Sequence, residues 1–322
     1  MTHTRAEQLF KLQAVDVAAN HIQPASSRGQ PDSVQTIQSS HRLDILYAWL
    51  TGSDPCPATS AGSHHAQADY SLLSGTIMDL GCGQGDQTGA LGALIAAHPG
   101  ILKEGKVIGV DPAQGDYGSP YTLRQAQDEL AQNSQLARHV SFALGKTGPQ
   151  VLETQTFDTV VLAHSLWYFP SAQVLNQTFA AIKQAGVKHL LLAEWAMAAS
   201  HPDALPHLLA ALLQGQSPVQ GANIQTPLSP EQVKGIAVQA GWMVKRELTF
   251  SPSERLQDGD WEIEMAREAA DAAAKFDASG DKTALRLKQS VQATRYALEE
   301  AVKRIGRQER SMDVWTAVLT AA

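Results

Sequence analysis

Three observations predict an α/β fold with a doubly wound, mostly parallel seven-stranded sheet and helices on both faces. Short apolar runs alternate with helical patterns of about ten residues from near residue 75 to the C-terminus. The first run, Thr76–Leu80, passes straight into Gly81, Gly83 and Gly85. The second, Lys106–Val110, ends in the acidic Asp111. Alternating strands and helices give a parallel sheet covered on both sides, and a glycine turn after the first strand suits its βα junction.

The elements follow in order. Ala6–Ala19 reads as a helix with Leu9, Leu12, Val15 and Val17 on an irregular apolar face. Residues 20–40 are polar, contain Pro24, Gly29 and Pro31, and read as a loop. Ser40 then caps a helix over His41–Leu50, with Leu43, Leu46, Tyr47 and Leu50 at helical spacing. Residues 51–70 read as a loop rich in Ser, Ala, Gly and Pro. Together residues 1–70 form an N-terminal helical extension or lid, and residues 71–322 form the main domain. In that domain the strands are Thr76–Leu80, Lys106–Val110, Val140–Leu144, Thr159–Ala163, His189–Ala193, Met243–Phe250 and Val314–Leu319. The helices are Thr88–Ala97, Leu123–Asn133, Ala172–Ala185, Ala204–Gln214 and Pro230–Ala240. Between strands six and seven, about residues 254–310 form a helical insertion with patterns over Glu262–Phe276 and Lys282–Ile305. In the second, Leu287, Val291, Leu298, Val302 and Ile305 make a stripe that must be buried: on the domain's own surface, as a lid, or in a homodimer.

Bulk properties narrow the function. The 322 residues are 43% hydrophobic with a net charge of −7, enough for a large core and unfavourable for broad nucleic-acid or anionic-membrane binding. No apolar run approaches the roughly 20 residues that span a bilayer. The N-terminus lacks a signal-peptide core, and the two cysteines, Cys56 and Cys82, are not placed to pair, so a cytoplasmic location is expected.

The turn itself reads D-L-G-C-G-Q-G-D over Asp79–Asp86. Dinucleotide sites use G-x-G-x-x-G to bring a pyrophosphate against free N–H groups. Here Asp79 and Asp86 flank the glycines, and carboxylates repel a pyrophosphate but attract an ammonium or sulfonium. The stretch resembles, nearly letter for letter over eight residues, the first motif of class I S-adenosylmethionine-dependent methyltransferases. The resemblance extends from about residue 70 to the C-terminus. It implies S-adenosylmethionine as cofactor, held by Asp79, Gly81, Cys82, Gly83, Asp86 and Gln87, with Asp111 and Pro112 at the ribose end. An acid at the end of the second strand suits ribose hydroxyls in any nucleoside site, Rossmann dehydrogenases included.

Other positions depart from the family pattern. After strand three many members place an acid near the adenine amino group. This chain has Lys146 and Thr147 there, so the adenine would be held by backbone groups or Thr147. Sixty or so residues replace the short turn between strands six and seven. Past strand four the chain runs His164-Ser-Leu-Trp-Tyr-Phe169 in place of the [DN]-P-P-[FY] of amino-directed nucleic-acid methyltransferases. That favours a small-molecule acceptor, with His164 beside the cofactor as general base and Tyr168 orienting the acceptor. Trp167 is either a substrate-facing ring or core. Glu194 and Trp195 end strand five and would bind a cationic amine, or Glu194 is a supporting or helix-capping carboxylate. Arg42 either pairs with the methionine carboxylate or is a solvated residue at a helix start. His64 and His65 lack a partner at ligand spacing, so no metal is expected. A protein or RNA methyltransferase, and a non-methylating cofactor-binding member such as a cyclase or regulatory partner, are the competing readings.

Overall fold

A computed structural model describes residues 4–57, 67–102, 104–217 and 224–322. Seven strands form one sheet: β1 (Thr76–Leu80), β2 (Lys106–Asp111), β3 (Val140–Leu144), β4 (Thr159–Ala163), β5 (His189–Trp195), β6 (Trp242–Phe250) and β7 (Val314–Ala321). Their order is β3-β2-β1-β4-β5-β7-β6. β1 to β5 pair in parallel, whereas β7 is antiparallel to both β5 and β6, so the sheet is mixed. The order reverses between β1 and β4, and right-handed crossovers on either side of that point put helices on opposite faces. The helices α4 (Asp86–Ala97) and α5 (Leu123–Gln132) take one face, while α6 (Gly148–Leu152), α7 (Ala172–Gln184) and α9 (Pro230–Gln239) take the other. The central β4 and β5 are almost wholly buried, as expected of parallel strands covered twice.

The N-terminal segment differs from its sequence reading. The single helix expected over Ala6–Ala19 is two, α1 (Arg5–Phe10) and α2 (Ala14–Ala18). Thr4 and Glu7 make a capping box, Lys11 ends α1 in the left-handed region at φ 51°, and Glu7 Oε1 accepts from the Ala14 amide at 2.8 Å. The polar loop ends seven residues sooner than expected. Ser33, not Ser40, caps α3 (Val34–Thr51) by accepting from the Thr36 amide. α3 is buried almost all round, so Thr36, Gln38, Ser39, His41, Arg42 and Asp44 lie inside beside Leu43, Ile45 and Leu46. A helix without a solvent-exposed face gives little periodic apolar signal. The Trp49 indole donates to the Leu192 carbonyl at 2.8 Å and pins α3 to the sheet.

β5 runs two residues beyond its predicted end, because Glu194 and Trp195 pair with Trp315 and Val314 of β7. α6 was not foreseen; Pro149 in its first turn and the Thr147–Gln150 capping box start it. The insertion holds α10 (Asp258–Lys275) and α11 (Lys282–Ile305). They pack with α8 (Leu205–Gln216), which lies before β6 in sequence, around a core including Leu213, Ile263, Val291 and Leu298. The stripe on α11 is therefore buried at its centre within the chain, while Leu287 is exposed. Arg267 grips Glu299 through two 2.9 Å bonds across α10 and α11. Among the described residues no helix is long and apolar enough to cross a membrane.

Candidate active site

The three glycines after β1 have φ of 75°, 52° and 95° at Gly81, Gly83 and Gly85, a region costly for other residues. Two are also sterically required. A Cβ on Gly81 would lie 2.6 Å from Ser165 Cβ, and one on Gly85 would lie 2.7 Å from Leu130 Cδ1. At Gly83 a Cβ would meet nothing within 4 Å, so the turn is open there. Asp111 fixes this shape, its Oδ2 accepting from the Gly83 amide and its Oδ1 from the Ala113 amide, both at 2.9 Å. Asp79 is turned into the protein, where Thr88 donates to its carboxylate at 2.5 Å. Burial pushes the Asp79 carboxyl up to about 6, against the Thr88 hydrogen bond and the nearby Arg42 cation. Cys82 is packed between Gly109 and Gln127, and burial raises its thiol well above the ordinary value. A thiol held protonated this way is no nucleophile.

α3 crosses above this turn. Gln35 donates to Asp86 Oδ1 at 2.8 Å and Gln38 to Asp258 Oδ2 at 2.7 Å, so one helix joins the start of α4 to the start of α10. Arg42 lies in the middle of α3, not at a solvated helix start, and is 9% exposed. Its Nε and Nη1 are buried with no partner among the described residues, as are both amide atoms of Gln87 on α4. Buried guanidinium donors left without hydrogen-bond partners are costly, so such a group marks where a ligand anion belongs. The amino-acid carboxylate of S-adenosylmethionine would satisfy Arg42, Gln87 could serve the same end, and open space over Gly83 leaves room for the chain between them. The residues present fit that cofactor.

His164 follows β4 with φ 52°, a strained value for a non-glycine residue. Its amide donates to the Ala193 carbonyl at 2.8 Å. Its Nδ1 lies 3.4 Å from Glu194 Oε1, and its Nε2 lies 2.9 Å from Nε2 of His41 on α3. Glu194 also accepts from the amides of Leu166 at 2.9 Å, Trp167 at 3.4 Å and Trp195 at 3.0 Å. Burial raises its carboxyl to about 7 in spite of those bonds and of Arg42. Burial also holds His41 and His164 well below the ordinary imidazole value, with Arg42 adding to both. The Trp195 ring centre lies 4.1 Å from that of His164 and stacks within 3° of His41 at 5.9 Å.

The remaining predicted positions scatter. Trp167 is core, its indole donating to the Leu228 carbonyl at 2.9 Å. Tyr168 beside it is 41% exposed. Lys146, Thr147 and Pro112 are exposed on loops at the ends of β3 and β2, and the Lys146 amide donates to the Asp111 carbonyl at 3.2 Å. His64 and His65 lie outside the described residues; among the described ones no cluster of three metal-ligating side chains occurs. Sequence reasoning missed Gln35, Gln38 and Asp258. Gln35, Gln38 and Arg42 recur at three- and four-residue spacing, a polar helical face hidden by the reading of residues 20–40 as loop.

No family model matches the chain. The chain is similar to two proteins of Diaporthe leptostromiformis. Methyltransferase phomM' is 28% identical over 323 residues, covering 86% of this chain and 82% of that protein. Methyltransferase phomM is 28% identical over 265 residues, covering 70% and 68%. The crystal structure of a cyclopropane-fatty-acyl-phospholipid synthase-like protein from Lactobacillus casei superposes with a TM-score of 0.71 at 26% identity, covering 98% of this chain and 99% of that one. The glycine motif, the sheet order and these likenesses together support a class I S-adenosylmethionine-dependent methyltransferase.

Proposed function

We propose that the enzyme transfers a methyl group to a nitrogen or oxygen of a small molecule, with the N-terminal segment and the helical insertion closing over the reactants. The observation that carries this reading is the enclosure of His164. It sits in a buried aromatic nest past β4, roofed by α3, and the Gln38–Asp258 bond ties that roof to the insertion. A site closed from two sides suits an acceptor that can be engulfed, and fits a nucleic-acid strand or protein tail less well. In this reading Asp111 and the turn Gly81–Gly85 hold the nucleoside, Arg42 the carboxylate, and Lys146 and Thr147 flank the adenine.

S-adenosylmethionine, when bound, supplies a methyl on a sulfonium whose departing thioether needs no protonation. The chain's residues then have two tasks. Alignment of donor and acceptor, with water excluded by α3, supplies up to about 7–11 kcal/mol of the barrier reduction. Removal of the acceptor's proton, where it arrives with one, runs through His164, oriented by Glu194.

The test is turnover with a methyl-labelled donor over small amines and phenols and over a cell extract fractionated by size. A labelled small product is expected. A labelled macromolecule would replace this reading with a protein or RNA acceptor, and donor binding without label would leave a non-methylating member. His164→Ala should lower turnover by about 100-fold or more while S-adenosylhomocysteine affinity in calorimetry stays within a few-fold. Equal loss of both would make His164 a cofactor contact.

A further inference from the structure

Both nitrogens of His164 are engaged, Nδ1 toward Glu194 Oε1 at 3.4 Å and Nε2 toward His41 Nε2 at 2.9 Å. Two facing Nε2 atoms at that distance share one hydrogen, since two lone pairs repel and two N–H groups clash. The last nitrogen of the series, His41 Nδ1, is buried without a partner among the described residues. We propose that Glu194, His164 and His41 form one proton relay whose receiving atom is His41 Nδ1, on the N-terminal helix, rather than either nitrogen of His164. The relay rests on the methyl-transfer reading and serves acceptors that arrive with a proton to lose, a hydroxyl or an ammonium.

The protons balance as follows. At rest the Glu194 carboxylate accepts from His164 Nδ1–H, and the bare His164 Nε2 accepts from His41 Nε2–H. The acceptor's proton bonds to His41 Nδ1, and the electron pair it leaves becomes the nucleophile. The His41 Nε2 proton passes to His164 Nε2, and the His164 Nδ1 proton passes to Glu194 Oε1. Each imidazole ends with one hydrogen, as it began, and only the charge on Glu194 has been neutralised.

This route resolves a conflict in the site. Burial opposes an imidazolium on either ring, and Arg42 opposes it further, so neither histidine alone is a good base near neutral pH. The same burial favours a neutral Glu194, whose carboxyl stands at about 7. The relay delivers the proton where burial wants it. Of the charged and titratable groups facing the pair, Arg42 comes from α3, Glu194 from β5 and His207 from α8. His207 is held at about 3, accepts from the Met312 amide through Nδ1 at 3.1 Å, and stays outside the relay. Trp195, stacked on His41 and against His164, is a positioning residue that keeps the two rings facing.

The test uses the full-length enzyme with ¹⁵N-labelled histidine and saturating S-adenosylhomocysteine. The wild type should show nitrogen–nitrogen coupling between His41 Nε2 and His164 Nε2 through the shared hydrogen. As pH falls through about 7, both rings should exchange tautomers, His164 to Nε2–H and His41 to Nδ1–H, with no imidazolium signal. An imidazolium signal on either ring between about pH 6 and 8, or no coupling in the folded wild type, overturns the relay. His41→Gln should cost at least about 100-fold in turnover of a hydroxyl or ammonium acceptor that the wild type methylates, with S-adenosylhomocysteine affinity kept within a few-fold; retained turnover overturns the role of Nδ1. The spectra need no acceptor. A wild type that labels no small amine or phenol but shows the coupling would therefore defeat the methyl-transfer reading and leave the paired imidazoles standing.

Discussion

At the scale of single residues, Arg42 is the most exposed to test. Its guanidinium is buried with Nε and Nη1 unpartnered, which is expensive unless an anion arrives. Arg42→Met keeps the length and apolar stem but removes the charge. The variant without ligand should be at least as stable as the wild type. Its affinity for S-adenosylhomocysteine, which carries the same carboxylate, should drop by about 10- to 100-fold, the value of one or two charge-assisted hydrogen bonds. Thermal melts with and without ligand read both effects, because the ligand-induced rise in Tm shrinks as affinity falls. Unchanged affinity would place the carboxylate elsewhere. Arg42, Asp111 and His164 were all nameable from sequence, since each stands next to a strand end or helix with a clear pattern. Their partners were not. His41 meets His164 across 123 residues, and no local rule reports such a pairing. The sequence reading of Glu194 as a contact for a cationic amine also meets an obstacle in the structure: three backbone amides and His164 already occupy its oxygens.

At the scale of elements, the glycine turn separates fold from function within five residues. Gly81→Ala combines a left-handed backbone with a 2.6 Å approach to Ser165 Cβ. It should cost roughly 2–5 kcal/mol of stability, from strain and overpacking together. Gly83→Ala meets open space and should cost only about 1–2 kcal/mol. Its new methyl group would stand over the turn where the cofactor must lie, so S-adenosylhomocysteine affinity should fall while the fold survives. Denaturant titration and calorimetry on the pair check this, and equal loss of stability in both variants would defeat the distinction. The strands were legible because apolar runs bounded by glycine and proline leave few alternatives; β1, β3 and β4 begin and end where the pattern does. α3 was half hidden because its first two turns carry Gln35, Thr36, Gln38 and Ser39. Gln35 and Gln38 reach Asp86 and Asp258 at the starts of α4 and α10, and Thr36 bonds back to Ser33 and the Gln30 carbonyl; polarity inside a fold looks like polarity in a loop when read in one dimension. β5 was cut short for a related reason. Glu194 ended the apolar run in sequence, yet it is a strand residue whose charge is absorbed by neighbouring amides.

At the scale of the whole molecule, the interior holds two opposed sets of titrating groups. Burial raises Asp44 to about 7, Asp79 to about 6 and Glu194 to about 7. Burial lowers His21, His41, His164 and His207, the last to about 3. For the acids, the folded state keeps protons that the unfolded chain has already released, so their contribution is present below about pH 4 and is lost as pH rises to about 6–7. For the histidines, the unfolded chain takes up protons that the folded state refuses, so their contribution is present above about pH 6.5 and is lost as pH falls. Between about pH 4 and 6.5 the two slopes oppose each other and give a shallow profile; below about pH 4 the slope of the raised acids is gone while that of the histidines persists, and stability should fall steeply. Asp44 isolates one side of this balance. It lies on the buried face of α3, remote in role from the glycine turn, with the Cys56 thiol donating to it at 3.6 Å. Asp44→Asn preserves the shape and removes the charge. A rise from 3.8 to about 7 corresponds to an upper figure of about 4 kcal/mol lost by the wild type on going to high pH. The variant should therefore gain several kcal/mol on the wild type between pH 4 and pH 8, read by denaturant unfolding at both values. A difference between variant and wild type that does not change with pH would mean that Asp44 is already ionised and solvated in the folded protein, and that α3 packs on the sheet more loosely than its buried face requires.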